Sequence, residues 1–257
     1  MNARVDIPDA VVSALRDARH VCVLTGAGVS AESGVPTFRE AQDGLWSRYN
    51  PLDLATPEAF LADPALVWRW YRWRRDTVSN VKPNPGHFAL ARLAKQVPQL
   101  TLITQNVDNL HQRAGNDELI EFHGNIFEDR CCEEGTLHTG DDSLDVPTCP
   151  DCGSPLRPGV VWFGQAPSPG VVWFGEAIPE KALARSWAAA ADCDVFLSIG
   201  TSSLVYPAAG LSDVAGQHGA LRVEINPNPT LQATSFDFAL AGKSGVILPE
   251  LVELLAL

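Results

Sequence analysis

The stretch VLTGAGVSAESGVPTFR, Val23 to Arg39, constrains the fold more than any other part of this chain. It begins inside an apolar, β-branched run, residues 20–25, which has the length of a buried strand and ends abruptly in Gly26, Ala27 and Gly28. A strand, a glycine turn and a helix start together bind the pyrophosphate of a dinucleotide, because glycine lets the backbone approach and the helix amides point at the charge. The spacing therefore predicts a dinucleotide site at this turn.

The residues after the turn depart from the pattern of an ordinary dehydrogenase. In such an enzyme the helix continues towards a second strand, which ends in an acidic residue about 20 positions further on. Here Gly34, Val35 and Pro36 stop the helix, since proline lacks an amide donor and clashes with the preceding turn. A loop begins at Thr37, and we expect it to cover the nucleotide as a lid.

Polar residues follow four further predicted strands at the point where each strand ends. The strands are residues 100–104, 119–122, 195–199 and 221–225, which are mostly apolar. Because the carboxyl ends of parallel strands meet at one edge of a sheet, where ligands bind, we expect the residues that follow them to face one crevice. These residues are Gln105, Asn106, Asp108, His123, Gly200, Thr201, Ser202 and Asn226.

The block GAGVSAESGVPTFR resembles the signature of the sirtuins, which are NAD-dependent protein-lysine deacylases. The resemblance continues in family order over nearly the whole chain, at TQNVDNLH (residues 104–111), His123-Gly124, Gly200-Thr201-Ser202 and Asn226. It implies an α/β fold, in which a Rossmann-like parallel sheet domain carries a smaller inserted module that is helical and cysteine-bearing, like a zinc ribbon. The implied boundaries assign the sheet domain to residues 1–44, 91–125 and 178–257, and the small module to 45–90 and 126–177.

The resemblance also implies a reaction and a set of site residues. An acylated lysine of a protein or peptide would be deacylated at the expense of NAD, giving nicotinamide and O-acyl-ADP-ribose. The general base would be His123, whose unperturbed pKa lies near neutrality, and Asn106 would act beside it. The implied NAD-binding residues are Gly26, Ala27, Gly28, Glu32, Phe38, Arg39, Gln105, Asn106, Asp108, Gly200, Thr201, Ser202, Asn226 and Ser244.

Tyr71 and Arg74 are three residues apart in a predicted helix, so they share a face. A guanidinium and a phenol side by side suit a carboxylate, since arginine offers a bidentate fork and tyrosine a further donor. In the family, Tyr-x-x-Arg at this place marks the class III members, which remove succinyl and malonyl groups. The resemblance thus implies that Tyr71 and Arg74 bind the acyl carboxylate; packing in the core or at the surface is the alternative.

The cysteines predict a structural zinc site with three thiolate ligands and a fourth ligand that the sequence leaves open. Cys149 and Cys152 have the C-x-x-C spacing that lets two thiolates converge on one ion. In the family the first pair is also C-x-x-C. Here Glu134 stands three residues after Cys131, where the second cysteine of that pair would be. We expect Cys131, Cys149 and Cys152 to bind the metal. The fourth ligand stays open among Cys132, Glu134 and His138, and the alternative is a module that has lost its metal.

A nine-residue segment occurs twice, as PGVVWFGQA (158–166) and PGVVWFGEA (169–177). The sirtuin pattern has one such segment, an extended strand that pairs with the acyl-lysine peptide by β-augmentation. Only one copy can occupy the peptide groove, and the residues do not decide which. The displaced copy would either mask the groove or pack on the surface.

Composition and charge restrict the kinds of partner and the location that we expect for this chain. A formal net charge of −12 over 257 residues disfavours nucleic acid, which needs a basic footprint, and is compatible with lysine-bearing protein substrates. We see no secretory signal and no membrane-length apolar run, and six cysteines without a signal suggest a reducing compartment. We therefore expect a cytoplasmic location.

Three other functions remain as rivals. Mono-ADP-ribosyl transfer would use the same nucleotide pocket with another nucleophile. An impaired NAD-binding module is possible because of the duplicated segment, but Asn106, Asp108 and His123 form a polar set that a mere binder does not need. An ordinary dehydrogenase is disfavoured by the broken motif after Ala31.

Overall fold

The computed structural model describes residues 6–36, 49–50, 54–140, 143–162, 177–228, 230 and 235–256. The expected lid with Phe38 and Arg39 lies outside the described residues. Of the two copies, called here the first VVWFG segment (158–166) and the second VVWFG segment (169–177), residues 163–166 and 169–176 also lie outside them.

The elements follow one another along the chain with a strand-helix alternation. The first half contains α1 (Asp9–Asp17), β1 (His20–Thr25), α2 (Ala27–Ala31), α3 (Pro57–Ala62), α4 (Pro64–Ser79), α5 (Pro85–Leu93), β2 (Gln99–Thr104), α6 (Leu110–Arg113) and β3 (Leu119–Glu121). The second half contains β4 (Gly124–Cys131), β5 (Leu137–His138), β6 (Leu156–Val160), α7 (Glu180–Asp192), β7 (Val195–Ile199), α8 (Gly210–Gln217), β8 (Leu221–Asn226), β9 (Phe238–Ala241) and α9 (Ser244–Leu255).

A six-stranded parallel sheet has the order β3-β2-β1-β7-β8-β9. All six residues of β1 and all five of β7 are buried, as expected of central parallel strands covered on both faces. From this central pair the chain winds outwards in both directions. The strand order therefore reverses between β1 and β7, and this is the point at which open α/β sheets bind ligands.

Helices cover both faces of the sheet. On one face, apolar residues of α1, α5 and α9 pack with inward side chains of the strands, for example Leu15, Leu90 and Leu251. On the other face α7 and α8 pack through residues such as Ala190 and Leu211. This arrangement confirms the predicted Rossmann-like α/β domain.

A second, smaller unit contains the antiparallel sheet β5-β4-β6 and the helices α3 and α4. Its core holds the buried Trp68, Trp70 and Tyr71 of α4 together with Cys131 and Trp162. The predicted helical and cysteine-bearing module is thus confirmed. The boundary expected near residue 90 falls within α5, whose apolar face packs in the core of the large sheet.

The first VVWFG segment belongs to this module. Its residues 158–160 form the end of β6, which pairs antiparallel with β4, and Trp162 is buried. None of the helices formed by the described residues has the length and apolar character of a membrane-spanning segment.

Candidate functional site

Two glycine loops touch each other where the strand order reverses. The amide of Gly26 donates to the carbonyl of Ile199 at 3.0 Å, and the amide of Gly28 donates to the carbonyl of Gly200 at 2.8 Å. A Cβ atom on Gly28 would lie 2.8 Å from the Cα atom of Gly200, which itself has a left-handed φ of 60°. Glycine is therefore required by the approach of the two backbones, and these loops form the floor of the crevice.

Amide side chains join the loops that follow β1, β2, β7 and β8. Asn106 Nδ2 donates to the carbonyl of Gly26 at 3.0 Å and to Ser30 Oγ at 2.9 Å. Asn226 Nδ2 donates to the carbonyl of Thr201 at 2.9 Å, while Gln105 Nε2 lies 3.4 Å from Thr201 Oγ1. The predicted residues of four strand ends are thus brought to one edge of the sheet.

Asp108 is a buried carboxyl group in this crevice. Its Oδ1 accepts from the amide of Leu110 at 3.0 Å, and the Ser30 hydroxyl also donates to the carboxylate. Burial raises the pKa of Asp108, and the bonds from Ser30 and Leu110 together with the charge of Arg74 oppose that rise. Ser30, which contacts both Asn106 and Asp108, was not predicted as a site residue. Its place inside the GAGVS motif was the available signal.

His123 lies where β3 gives way to β4, and only 7% of its surface is exposed. Its Nδ1 lies 3.0 Å from the carbonyl oxygen of Gln105. Because a carbonyl only accepts, the proton of the neutral ring is on Nδ1 and the lone pair is on Nε2. Burial lowers the pKa of His123 to about 4, partly offset by the bond to Gln105, so the ring is neutral at pH 7.

Glu32 and Ser244, both predicted to bind NAD, bind each other. Ser244 Oγ donates to Glu32 Oε1 at 2.5 Å, and the amide of Gly245 donates to Glu32 Oε2 at 3.1 Å. Asn84, which was not predicted, holds the same region by donating from Nδ2 to the carbonyl of Val29 at 2.7 Å. These contacts join α2, α5 and α9 behind the glycine turn.

A polar network lies under the crevice. His111 Nε2 is 3.0 Å from Thr25 Oγ1, which donates to Thr104 Oγ1 at 2.9 Å. The His111 ring packs against the ring of His87, with 4.7 Å between their centroids. His87 Nδ1 accepts from the amide of Asn84, which completes a capping box at the start of α5.

We expect the free energy of unfolding to fall as the pH drops from 7 to 5. Burial lowers the pKa of His87 to about 4, and burial with the nearby His87 lowers that of His111 to about 3. The unfolded chain takes up these protons near pH 6.5, whereas the folded chain does so only near its own, lower pKa values. The contribution of these two histidines to the free energy of unfolding is therefore fully present above pH 6.5. It is lost below that pH, by up to about 1.4 kcal/mol per pH unit for each histidine.

Urea unfolding at pH 7, 6 and 5 measures this dependence. The variant His111→Gln should show a shallower pH slope by about one proton. The matched control His218→Gln changes an exposed histidine at the end of α8 and should keep the wild-type slope. Equal slopes for all three proteins would contradict the assignment.

Tyr71 and Arg74 are neighbours on α4, as their spacing predicts. The Arg74 guanidinium carbon lies 5.9 Å from the centroid of the Tyr71 ring and 5.0 Å from that of Trp70. Trp162 Nε1 donates to the Tyr71 hydroxyl oxygen at 3.1 Å. Burial lowers the pKa of Arg74, and this is opposed by Tyr71 and Asp108. The pair thus lies between the first VVWFG segment and the crevice that holds Asp108.

The three predicted thiols converge in the small module. The ligand atoms of Cys131, Cys149, Cys152 and Glu134 all lie within 4.8 Å of one another. The Sγ atoms of Cys131 and Cys152 are 3.5 Å apart, close to the edge of about 3.8 Å that Zn–S bonds of about 2.3 Å give a tetrahedron. The donor set therefore fits zinc, which would brace the loops on either side of β5.

The sequence matches the family model described as the Sir2 family over residues 26–168 and 168–207. The first match contains the first VVWFG segment and the second match contains the second, so both copies correspond to this family.

Relatives match over nearly their full length. The NAD-dependent protein deacylase 1 of Pseudomonas aeruginosa is 47% identical over 254 residues, which cover 95% of this chain and 97% of the relative. The NAD-dependent protein deacylase of Methylococcus capsulatus is 46% identical over 261 residues, covering 98% of each chain.

Solved structures share the fold. A Sir2 homologue in complex with NAD has a TM-score of 0.87 and 40% identity, covering 100% of this chain and 96% of its own. A Sir2 structure with a deacetylated p53 peptide and 3′-O-acetyl-ADP-ribose has a TM-score of 0.80 and 29% identity, covering 95% of this chain and 97% of its own.

Proposed function

This chain belongs to the Sir2 family, and from that premise we propose that it is an NAD-dependent protein deacylase that prefers succinyl-lysine and malonyl-lysine. The observation that carries the proposal is a neutral histidine, His123, held by Gln105 in the crevice that also contains Asn106 and Asp108. The relatives named as deacylases and the structures with NAD and acetyl-ADP-ribose support the deacylase part of this proposal.

NAD would bind along the floor formed by the two glycine loops. Gly26, Gly28 and Gly200 bring their backbones together where the strand order reverses, so no side chain blocks the approach of a pyrophosphate. We assign Asn226 and Gln105, which hold Thr201, to the nucleotide side of the crevice. When bound, NAD supplies a ribose carbon that becomes electrophilic as nicotinamide leaves.

His123 is assigned as the general base. Nδ1 is fixed on the carbonyl of Gln105, so Nε2 carries the lone pair that takes a proton from a substrate hydroxyl. Asn106 and Asp108 would orient the reacting groups, because both are held through Ser30 to the glycine turn. We infer that Glu32 and Ser244 act behind this surface, since they bind each other.

The acylated peptide would lie beside the first VVWFG segment. The amide of Val161 donates to the carbonyl of His123 at 2.9 Å, which places this segment next to the general base. An extended peptide that adds to such a strand brings its lysine towards His123. The same segment contacts Tyr71 through Trp162, so the acyl group would pass from the base towards α4.

Tyr71 and Arg74 are assigned to the acyl carboxylate. Arg74 is already close enough to Asp108 for its charge to oppose the rise in the pKa of that carboxyl group. A succinyl or malonyl carboxylate offers a guanidinium the same kind of partner. A charged hydrogen bond contributes about 1.5–3 kcal/mol, which favours the acidic acyl group over acetyl about tenfold to a hundredfold.

Nicotinamide release with matched acetyl-, malonyl- and succinyl-lysine peptides tests the function. We expect NAD-dependent release with all three and faster release with the two acidic groups. Tagged NAD distinguishes the rival function, because mono-ADP-ribosyl transfer would label an acceptor protein. Label on the acceptor together with no free O-acyl-ADP-ribose would overturn the deacylase proposal.

We expect Arg74→Met, alone or with Tyr71→Phe, to lower kcat/KM for the succinyl peptide about tenfold to a hundredfold and to change acetyl turnover little. The matched control is Arg69→Met, an exposed arginine on the same helix α4. Tyr71→Phe also removes the acceptor of Trp162, so thermal unfolding of each variant separates a folding defect from a change in specificity. An equal fall on both peptides would show that the pair is structural.

A further inference from the structure

Two turns in the small module repeat one geometry. In the first turn the amide of Gly135 donates to the carbonyl of Cys131 at 3.0 Å, and in the second the amide of Gly153 donates to the carbonyl of Cys149 at 2.9 Å. Gly135 and Gly153 have left-handed φ angles of 69° and 76°. Each turn therefore begins at a cysteine and closes on a glycine four residues later, where the positive φ favours glycine.

The correspondence extends to the residue before each glycine. Glu134 precedes Gly135 in the first turn, and Cys152 precedes Gly153 in the second. In both turns the first cysteine is buried and the residue before the glycine is exposed. The amide of Glu134 donates to Cys131 Sγ at 3.4 Å, and amides of the second turn likewise bind the thiol of Cys149. Glu134 thus occupies, in its own turn, the place that Cys152 has in the other.

We propose that Glu134 is the fourth protein ligand of a structural zinc ion bound by Cys131, Cys149 and Cys152. The four ligand atoms lie within 4.8 Å of one another without a change of backbone. Zinc accepts carboxylate oxygen at about 2.0–2.2 Å and is four-coordinate in structural sites. The site is therefore one of three thiolates and one carboxylate.

The two other candidates fit less well. Among the described residues, Cys132 belongs to neither of the two clusters of ligand atoms in this module. His138 Nε2 lies 3.4 Å from Cys149 Sγ but 2.8 Å from Thr136 Oγ1, and its cluster includes only one of the three thiols. This histidine is placed to orient Cys149 from outside the metal's own ligands.

Metal binding by the purified full-length chain tests the proposal. We expect wild type to hold one zinc ion per chain, and competition with a colorimetric chelator gives the affinity. Glu134→Gln should weaken zinc binding about tenfold or more, as loss of a ligand group does. Glu134→Cys should bind zinc as tightly as wild type or more tightly. The matched control Glu133→Gln changes the neighbouring carboxylate and should bind zinc like wild type.

Cobalt substitution counts the thiolates directly. Thiolate-to-cobalt charge-transfer absorption should be that of three sulfur ligands in wild type and rise to that of four in Glu134→Cys. Circular dichroism and thermal unfolding with and without metal show whether each variant is folded. None of these readouts uses deacylase turnover, so they succeed or fail independently of the proposed function.

Three results would overturn the assignment. Wild-type protein without stoichiometric zinc after metal reconstitution would remove the site altogether. Loss of zinc in His138→Ala with unchanged binding in Glu134→Gln would make the histidine the ligand. A wild-type cobalt spectrum of four thiolates would place Cys132 in the site.

Discussion

The variant His123→Ala should lower kcat for deacylation by about 10²–10⁴-fold, the contribution typical of a positioned general base. The ring that is removed is neutral at pH 7, because burial lowers the pKa of His123 to about 4. Because Nδ1 is hydrogen-bonded to the carbonyl of Gln105, only Nε2 of the ring can accept the proton. Nicotinamide release at saturating NAD and acyl-peptide measures the effect.

Binding of NAD by this variant should stay close to that of wild type. The glycine floor of Gly26, Gly28 and Gly200 is built from backbone contacts in which His123 takes no part. The matched control His218→Ala removes an exposed histidine and should retain full turnover. Activity above a few per cent of wild type in the His123→Ala protein would refute the assignment of the base.

We expect that breaking the ion pair between Arg75 and Asp129 strongly lowers the free energy of unfolding. The Arg75 side chain is 11% exposed and that of Asp129 is 3% exposed, and the pair joins α4 to β4. Arg75 Nε also donates to the carbonyl of Ile126 at 2.6 Å, while Asp129 Oδ2 accepts from the amide of Gly140 at 2.7 Å. Asp129→Asn removes the carboxylate charge from this buried ion pair and keeps the guanidinium in place, which costs about 3–5 kcal/mol.

Equilibrium unfolding in urea measures that cost, which is a large share of the roughly 5–15 kcal/mol that stabilises an ordinary domain. The double variant Arg75→Met/Asp129→Leu replaces both members of the buried ion pair by apolar side chains and should be more stable than Asp129→Asn. Arg19→Met is the control: Arg19 pairs with Asp194 at the surface, where its side chain is 87% exposed, and we expect no measurable change. A similar small change in Asp129→Asn would contradict the prediction.

Local signals in the sequence predicted the elements that frame the site. The apolar run 20–25 became the fully buried β1, and Pro36 lies beyond a helix α2 that ends at Ala31. Each of these features depends on neighbours in the sequence, and for that reason short-range pattern was sufficient.

Short-range pattern could not predict the contacts between residues that are far apart in the sequence. Glu32 and Ser244, which the resemblance implies bind NAD, are 212 positions apart and bind each other. Asn106 reaches Gly26 across 80 positions, and no spacing rule states that its amide would bind that carbonyl. The fold decides these pairings, because parallel strands far apart in the sequence end at the same edge of one sheet.

The sequence by itself determined the family, the strand and glycine turn at Gly26, and the residue types available for base, nucleotide and metal. Only the tertiary structure decided which members of those sets meet. It brought the carboxylate of Glu134 within 4.8 Å of the three thiols, and it put residues 158–160, the start of the first of two nearly identical segments, into β6. The physical reason is common to both: side-chain chemistry and local conformation are written in neighbouring residues, whereas the distance between groups depends on how the strands between them pair.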